Sequence, residues 1–497
     1  MYLNLKIKFD MTGILFTVFR NKVFLYLVSR YITYALQFIT SFYIALKLGP
    51  FGFGVWSFIL LLINFYYIVD FGISNSINIL LVQDKGNEVL CLNHILSSII
   101  ITLGLSILII LSFVIVKHGG FDFLVKYDIT TYIPAILCIV IFRNFNKVFS
   151  SIYRVKNCLF ELAFFQSIVP VLLLLAIMCF PTNSLWYLVG AYMIGQSVAL
   201  LLFIFRGQIS FKGSISFYSI NTVFFKGFWL FLYNGLFYLI MFSTSSLISA
   251  YYPVDDYGKY SFAYALAHAI FLFLEAFGYI VFPRIVQKLK GNDFNECKFV
   301  ICTIRNSYLT IVYSLVYLAF PVFYLLCMIM PQYSNTLRML CIASLTILPY
   351  VNAFGLNTFL MAQNKEKMLA IISFVSFIMN ILFLFLYIQI LHFPYDLVLL
   401  ATLISYVLFT LLCSFFMLRF IGEPCCLGLV LKTAFPMRIS IPYIIALCVV
   451  LFFSEGSYFW VLFIPLIVFI LLNKDLLTET INMMVRLIRK PEIIDLK

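Results

Sequence analysis

Charged residues are scarce in this chain. Only 11% of its 497 residues are Asp, Glu, Lys or Arg, whereas 64% are hydrophobic and 19% are aromatic. Soluble domains carry about 25% charged residues, so a soluble core could not hide this much apolar surface. The mean hydropathy of +1.07 agrees. Together these values indicate a protein embedded in a lipid bilayer.

Long hydrophilic segments are also absent. The longest connections between apolar runs lie near residues 207–223, 283–298 and 421–436, and each is too short to fold as an independent domain. No carboxylate pair, His-x-Asp arrangement or Gly-rich phosphate loop of the Walker type occurs. A membrane-embedded polysaccharide polymerase, glycosyltransferase or acyltransferase is therefore disfavoured, and we expect no enzyme activity, no cofactor and no metal.

Apolar runs dominate what is present. A bilayer-spanning helix needs roughly 17 to 25 apolar residues, whereas barrel strands need alternating segments of about ten. The runs here are continuous, which predicts an all-α polytopic membrane protein with about fourteen transmembrane helices. The fourteen runs are Val23–Ala45, Phe53–Phe71, Ile95–Val116, Tyr132–Tyr153, Leu162–Phe180, Leu185–Phe205, Phe228–Tyr251, Ser261–Val281, Tyr308–Met330, Met339–Met361, Met368–Leu391, Leu397–Leu418, Ile439–Phe453 and Tyr458–Leu472.

The positions of the 33 Lys and Arg residues predict the orientation. If the N-terminus is cytosolic, nearly all of them fall in cytosolic segments, and only Lys47, Lys117, Lys126 and Lys259 fall on the opposite side. The positive-inside rule then places both termini in the cytosol. The net charge of +13 therefore reflects topology, and no nucleic-acid partner is expected. Most of the twelve cysteines lie in spans or cytosolic segments, so they do not indicate a disulfide framework.

One short pattern occurs twice. LGPFGFGVWSF, residues 48–58, joins the first two spans, and YYPVDDYGKYSF, residues 251–262, joins the seventh and eighth. Each copy of the pattern leads into a long span, and after that span a carboxylate is followed closely by Phe-Gly. The carboxylates are Asp70 and Glu275. A six-span unit used twice in one orientation is a parallel repeat. The repeat predicts an N-terminal lobe at 1–206, a cytosolic linker at 207–225, a C-terminal lobe at 226–420, and two appended spans with a tail at 421–497.

This architecture resembles the multidrug/oligosaccharidyl-lipid/polysaccharide exporter superfamily and, within it, the Wzx-type polysaccharide flippases. The resemblance rests on the tandem lobes, the repeated corner and the segment from Arg30 through LKLGPFGFGVWSF to DFGISNSI. It implies transport of undecaprenyl-diphosphate-linked oligosaccharide repeat units from the cytosolic to the outer leaflet, for O-antigen, capsule or similar surface glycans. It also implies alternating access between the lobes, a bacterial inner-membrane location, and a polysaccharide polymerase machinery as a partner.

Four cations within or beside the spans are candidates for binding the diphosphate or an anionic glycan. Charges at membrane depth are costly and usually face a cavity. Arg143 and Lys147 are four residues apart and so share one helical face, and guanidinium and ammonium groups both suit phosphate. Arg30 and Arg305 complete the set, although their long side chains could instead reach the membrane interface.

Three other ionisable residues are candidates for ion coupling or for charge pairing inside the bundle: Asp70, Glu275 and His268. Asp70 and Glu275 correspond in the repeat, and Arg30 and Asp70 are expected to lie close enough to face each other. His268 could relay a proton or could simply be hydrogen-bonded within the fold.

Two other transporters remain alternatives to the Wzx-type flippase. A cation-coupled multidrug exporter of the same superfamily should have a cavity rich in carboxylates, whereas intramembrane cations here match or outnumber the anions. A lipid II flippase would also carry an anionic lipid and often has extra spans. The sequence therefore favours an anionic substrate, and we expect a positively charged cavity between the lobes on the cytosolic side.

Overall fold

The computed structural model describes residues 22–68, 70–84, 86–118, 125–180, 185–289, 294–452 and 459–489. Within these ranges the protein consists mainly of helices joined by short irregular segments, and no β-strand occurs among the described residues. The α-helices are α1 (Lys22–Ile68), α2 (Ile73–Gln83), α3 (Glu88–His118), α4 (Ile133–Val155), α5 (Leu159–Cys179), α6 (Leu185–Phe205), α7 (Phe217–Tyr251), α8 (Val254–Leu289), α9 (Phe294–Ile329), α10 (Leu337–Asn352), α11 (Leu356–Ala362), α12 (Glu366–Phe385), α13 (Leu399–Ile421), α14 (Leu427–Ala434), α15 (Met437–Phe452), α16 (Ile464–Leu472) and α17 (Lys474–Arg489). Short 3₁₀ helices lie at Thr130–Tyr132, Pro331–Thr336 and Phe459–Phe463, and a π-helix lies at Leu386–Ile390.

The helices correspond to the predicted apolar runs, which confirms a multi-pass helical membrane fold. In the described part of the chain, nine helices are long and apolar enough to cross a bilayer, and twelve when each of three bent helix pairs counts as one span. The two remaining runs are the second half of α1 and the run in α8. The figure of fourteen crossings, with both termini in the cytosol, stays a prediction.

Two bends divide the region that begins with α1. Gly49 has a φ of 66° and a ψ of 179°, so the chain changes direction there and Pro50 starts the second half of α1. A second break follows the end of α1, where Phe71 and Gly72 both have positive φ values before α2 begins. The predicted second span is therefore a helix that stops short of Asp70, followed by the separate short helix α2.

The two copies of the repeated corner pack directly against each other. A Cβ atom added to Gly54 would overlap the carbonyl oxygen of Val254, and one added to Gly258 would overlap that of Pro50. The same sequence spacing separates Gly54 from Gly258 and Pro50 from Val254. The contact is thus symmetric, as expected for two parallel copies related by a twofold axis. The corner glycines allow close approach of two helix backbones, whereas the turn itself is made at Gly49.

The helices form two packed groups that meet along a few elements. In the first group, α1 packs on α4 and α5, and α6 packs on α4 and α5; in the second, α7 packs on α12 and α13, and α8 packs on α10. The groups meet where α1 contacts α8 and where α2 and α3 contact α7. Residues 207–216 are irregular, and residues 217–225 already belong to α7, so half of the expected linker is helical.

Candidate functional site

Arg143 and Lys147 lie on one face of α4 and share a contact with Tyr67, near the end of α1. The Arg143 guanidinium carbon is 4.1 Å from the centre of the Tyr67 ring, and the Lys147 ammonium is 4.2 Å from it. Arg143 also donates to the side-chain oxygen of Asn64 at 2.7 Å, and Lys147 to the carbonyl oxygen of Tyr67 at 3.1 Å. The spacing of four residues therefore brings the two cations together, as predicted.

Lys147 makes an ion pair with Asp70 at 2.9 Å, so the partner of Asp70 is Lys147 rather than the expected Arg30. Asp70 is buried and lies just before α2: one carboxylate oxygen accepts from the Gly72 amide at 3.0 Å and the other from the Ser74 hydroxyl at 2.7 Å. The N-cap position of α2 is Gly72, which makes no side-chain cap. The Asp70 carboxylate therefore stabilises the turn that precedes α2 and partly neutralises Lys147.

A cavity of about 470 Å³ lies beside these cations, enclosed by α1, α4, α5 and α6. Arg30, Arg143 and Lys147 all line it, and no Asp or Glu is among its described lining residues. Thr33, Tyr34, Gln37, Thr40, Ser41, Asn64, Tyr67, Asn146, Ser150, Gln166, Tyr192 and Gln196 supply further polar groups. The cavity is lined by cations, but its described walls all come from the first helix group, whereas the sequence predicts a positive cavity between the two lobes.

Hydrogen bonds within the first group hold the cavity walls in place. Arg30 donates from Nε to the Tyr34 hydroxyl at 2.7 Å. Across the cavity, the Asn146 amide donates to the backbone and side-chain oxygens of Gln196 at 3.0 and 2.8 Å. Amide pairing of this kind ties α4 to α6 without adding charge. The net charge of the cavity wall is therefore set by the three cations and, behind Lys147, by Asp70.

Arg305 occupies a different place from the other predicted cations. Only 6% of its surface is exposed, and its guanidinium donates to the carbonyl oxygens of Asn352 at 2.9 Å, Thr433 at 2.5 Å and Ala434 at 2.6 Å. These carbonyls end α10 and α14, where helices leave acceptors unpaired. Arg305 therefore joins two helix ends, one of them at the 74° bend between α14 and α15.

The other two predicted residues are in α8. His268 has an exposed side chain, and its ring stacks on Tyr264 with centroids 5.7 Å apart. The side chain of Glu275 lies outside the described residues. The structure therefore brings together Arg30, Arg143, Lys147 and Asp70, and it does not bring Arg305 to them.

Sequence reasoning missed Tyr67 and Asn64 as partners of the cations. The cluster Phe65-Tyr66-Tyr67 was visible, but nothing in its pattern distinguished a cation contact from membrane-interface packing. The contact between the amides of Asn146 and Gln196 could not be predicted either, because the two residues lie in different apolar runs. Within this site, only the spacing of Arg143 and Lys147 allowed a contact to be predicted from the sequence.

Comparison with known proteins gives one family and several similar structures. Residues 19–288, more than half of the chain, match the model of a family described as polysaccharide biosynthesis protein. None of the curated proteins matches the chain in sequence.

Solved structures that resemble the chain include a lipid II flippase and multidrug resistance MATE family transporters. The lipid II flippase MurJ in an inward closed conformation superposes with a TM-score of 0.64 at 14% identity, covering 93% of this chain and 99% of that one. An inward-facing multidrug resistance MATE family transporter of the MOP superfamily gives 0.63 at 13% identity, covering 78% and 94%. An outward-facing form of such a transporter gives 0.50 at 15% identity, covering 81% and 96%. At these identities the likeness establishes the fold.

Proposed function

The chain belongs to the polysaccharide biosynthesis protein family, and from that membership we propose that it is a Wzx-type flippase. Its substrate would be an undecaprenyl-diphosphate-linked oligosaccharide repeat unit, carried from the cytosolic to the outer leaflet of a bacterial inner membrane. The product would feed the synthesis of a surface polysaccharide such as O-antigen or capsule, together with a polysaccharide polymerase machinery.

The observation that supports this proposal most directly is the charge of the cavity. Three cations and no described carboxylate line it, whereas the cavity of an exporter of cationic drugs should carry carboxylates. Arg143 is hydrogen-bonded to the neutral Asn64, so that bond leaves its charge uncancelled. Its planar guanidinium suits two phosphate oxygens at once. The cavity therefore favours a diphosphate over a cationic drug.

The uncharged part of the lining suits the rest of the substrate. Gln37, Asn64, Gln166 and Gln196 place amides along the cavity, and amides both donate to and accept from hydroxyl groups. A sugar chain next to the diphosphate would find such partners. The apolar lining, including Leu60 and Leu173, lies between these polar groups.

We assign transport through rocking of the N-terminal lobe, residues 1–206, against the C-terminal lobe, residues 226–420. Residues 207–225 would connect the lobes, and residues 421–497 would pack beside them. Parallel repeats commonly work in this way, with the substrate held near the midplane. Arg30, Arg143 and Lys147 would bind the anionic group, whereas Arg305 joins helix ends. Asp70 would stabilise the turn before α2 and pair with Lys147, which leaves Glu275 and His268 as candidates for ion coupling.

The test of this proposal is substrate flipping in reconstituted vesicles. Purified protein would be supplied with a fluorescent undecaprenyl-diphosphate oligosaccharide, and translocation read as exposure of the sugar to a membrane-impermeant glycosidase. We expect Arg143→Ala to slow flipping by tenfold or more, because a hydrogen bond to a charged group contributes roughly 1.5–3 kcal/mol. Arg143→Lys, which keeps the charge but loses the fork, should fall between it and the native chain.

Arg419→Ala is the matched control, since Arg419 is an exposed arginine at the end of α13 and does not line the cavity. It should flip substrate at the native rate. Lys147 is a less informative target because its removal would also leave Asp70 without its partner.

Two outcomes would contradict the proposal. Loss of dye efflux without loss of glycan display in a deletion strain would favour a multidrug exporter. Flipping of lipid II in preference to the oligosaccharide lipid would favour a lipid II flippase.

A further inference from the structure

The first observation lies between α3 and α4, at Lys126 and Tyr127. The Lys126 ammonium donates to three backbone carbonyls at the end of α7: Ser249 at 2.6 Å, Ala250 at 2.9 Å and Tyr252 at 2.7 Å. The Tyr127 hydroxyl also donates to the Ser249 carbonyl, at 2.9 Å. These four bonds join the first helix group to the second.

A matching set of bonds runs in the opposite direction. Gln332, in the 3₁₀ helix after α9, donates to the carbonyls of Ala45 at 3.4 Å and Leu46 at 3.0 Å. The Tyr333 hydroxyl donates to the Ala45 carbonyl at 3.4 Å. These carbonyls belong to the last turn before Gly49, where the first half of α1 ends. The second group therefore contacts the first through the same kind of pair.

The two sets correspond residue by residue. The spacing from Ala45 to Ser249 equals that from Leu46 to Ala250 and that from Gly54 to Gly258. Tyr127 and Tyr333 also rest on equivalent rings: Tyr127 stacks on Phe58 at 4.0 Å, and Tyr333 packs on Phe262 at 4.2 Å. The bonds therefore obey the same twofold relation as the corner contact.

The chemistry of the two sets differs at one position. The last carbonyls of a helix lack partners within it and carry partial negative charge, so a cation there is favourable. Lys126 supplies a cation, and Gln332 supplies a neutral amide with longer bonds. The three carbonyls take the place of water around the Lys126 ammonium, and its burial lowers its pKa from the ordinary value.

We propose that these contacts form a paired latch, consisting of Lys126-Tyr127 on α7 and Gln332-Tyr333 on α1, which holds the two helix groups together at the predicted extracytoplasmic end. Both arms must release before that end can open. The charged Lys126 arm contributes more than the neutral Gln332 arm, so it sets the balance between the closed and open forms of this end.

The test follows a cysteine in the cavity and needs no substrate. Ser41, which lines the cavity, would be replaced by cysteine in a chain whose twelve native cysteines are substituted. The rate of labelling by a membrane-impermeant maleimide, added on the extracytoplasmic side, then reports how often that end opens. Because no glycan lipid is present, the result is independent of the proposed function.

We expect Lys126→Ala to raise the labelling rate about tenfold, given the usual worth of hydrogen bonds from charged donors. Gln332→Ala should raise it by less, and Gln332→Lys should lower it by giving the second arm its own cation. Lys259→Ala is the matched control: Lys259 lies on the same predicted side, and its ion pair is with Asp256 of its own helix. It should leave the rate unchanged.

Equal rates for the native chain and Lys126→Ala would overturn the latch, as would equal increases for Lys126→Ala and the Lys259→Ala control. If Lys126→Ala does not insert into the membrane, Gln332→Lys decides. A slower rate supports the latch, and an unchanged or faster rate refutes it.

Discussion

Replacement of Asp70 separates its two candidate roles. One is structural, as acceptor in the turn before α2 and ion-pair partner of Lys147, and the other is that of an ion-coupling carboxylate. The perturbations are Asp70→Asn, which keeps an oxygen acceptor but loses the charge, and Asp70→Ala, which loses both. The carboxylate accepts from Gly72 and Ser74 and pairs with Lys147 at 2.9 Å. The Asn side chain keeps one oxygen that can accept from the Gly72 amide, so Asp70→Asn mainly removes the ion pair.

The burial of the pair determines the expected cost. The side chains of Lys147 and Asp70 are 20% and 10% exposed. Removing one partner of a fully buried pair costs roughly 3–5 kcal/mol, but Lys147 lines the cavity and keeps its contacts with Tyr67. We therefore expect Asp70→Asn to lower the free energy of unfolding by about 1 kcal/mol, the usual net contribution of one intramolecular hydrogen bond. Asp70→Ala should lower it by about 2 kcal/mol, because the Gly72 amide and the Ser74 hydroxyl also lose their acceptor.

The assay is reversible unfolding in mixed micelles, combined with a double-mutant cycle between Asp70→Asn and Lys147→Gln. Contacting residues give interaction energies of roughly 0.5–3 kcal/mol. The double variant should therefore lose less unfolding free energy than the two single variants lose in sum. Asp256→Asn is the control, because that carboxylate belongs to a longer, more exposed pair, for which an effect below about 0.5 kcal/mol is expected. If Asp70→Asn unfolds like the native chain but abolishes flipping, the structural assignment is wrong and the carboxylate is needed for transport itself.

Three further outcomes are expected. Arg305→Met should lower the free energy of unfolding by about 3 kcal/mol, measured in the same assay, because three buried carbonyls lose their donors; unchanged stability would contradict its role at the helix ends. Gly258→Ala should sharply reduce the yield of folded protein, because its Cβ overlaps the Pro50 carbonyl, whereas Gly104→Ala, which meets no atom within 4 Å, should not. Tyr67→Phe should flip substrate normally and Tyr67→Leu should not, since both cations contact the ring; equal flipping by the two variants would remove the ring from the site.

Much of the architecture could be predicted from the sequence, because bilayer-spanning helices consist of continuous apolar runs. Each predicted run coincides with a helix or a bent helix pair. The face shared by Arg143 and Lys147 was also readable, since helical periodicity places residues four apart side by side. The repeat of the corner could be recognised in the sequence, but the close backbone contact made by its glycines could not be predicted. Gly54 and Gly258 serve a contact between distant segments, which no local pattern reveals.

The partners of the charged residues could not be read in the same way. The ion pair of Asp70 depends on the break at Phe71 and Gly72, where positive φ values turn the chain toward α4. Arg305 binds carbonyls of α10 and α14, and backbone acceptors have no residue signature. The walls of the cavity depend on how α5 packs against α1 and how α6 packs against α4 and α5. These are tertiary contacts, and a single sequence contains no direct record of them.

The symmetric corner contact gives this single chain the character of a fused homodimer. In a true homodimer every substitution occurs in both subunits, so a twofold interface must tolerate each change twice. Once two copies share one chain, each can change alone, and Lys126 opposite Gln332 is such a divergence. The glycines do not have that freedom, because Gly54 and Gly258 meet at one crossing point and a side chain on either would push the helices apart. Divergence between the halves should therefore concentrate in the connections, while the crossing point retains two small residues.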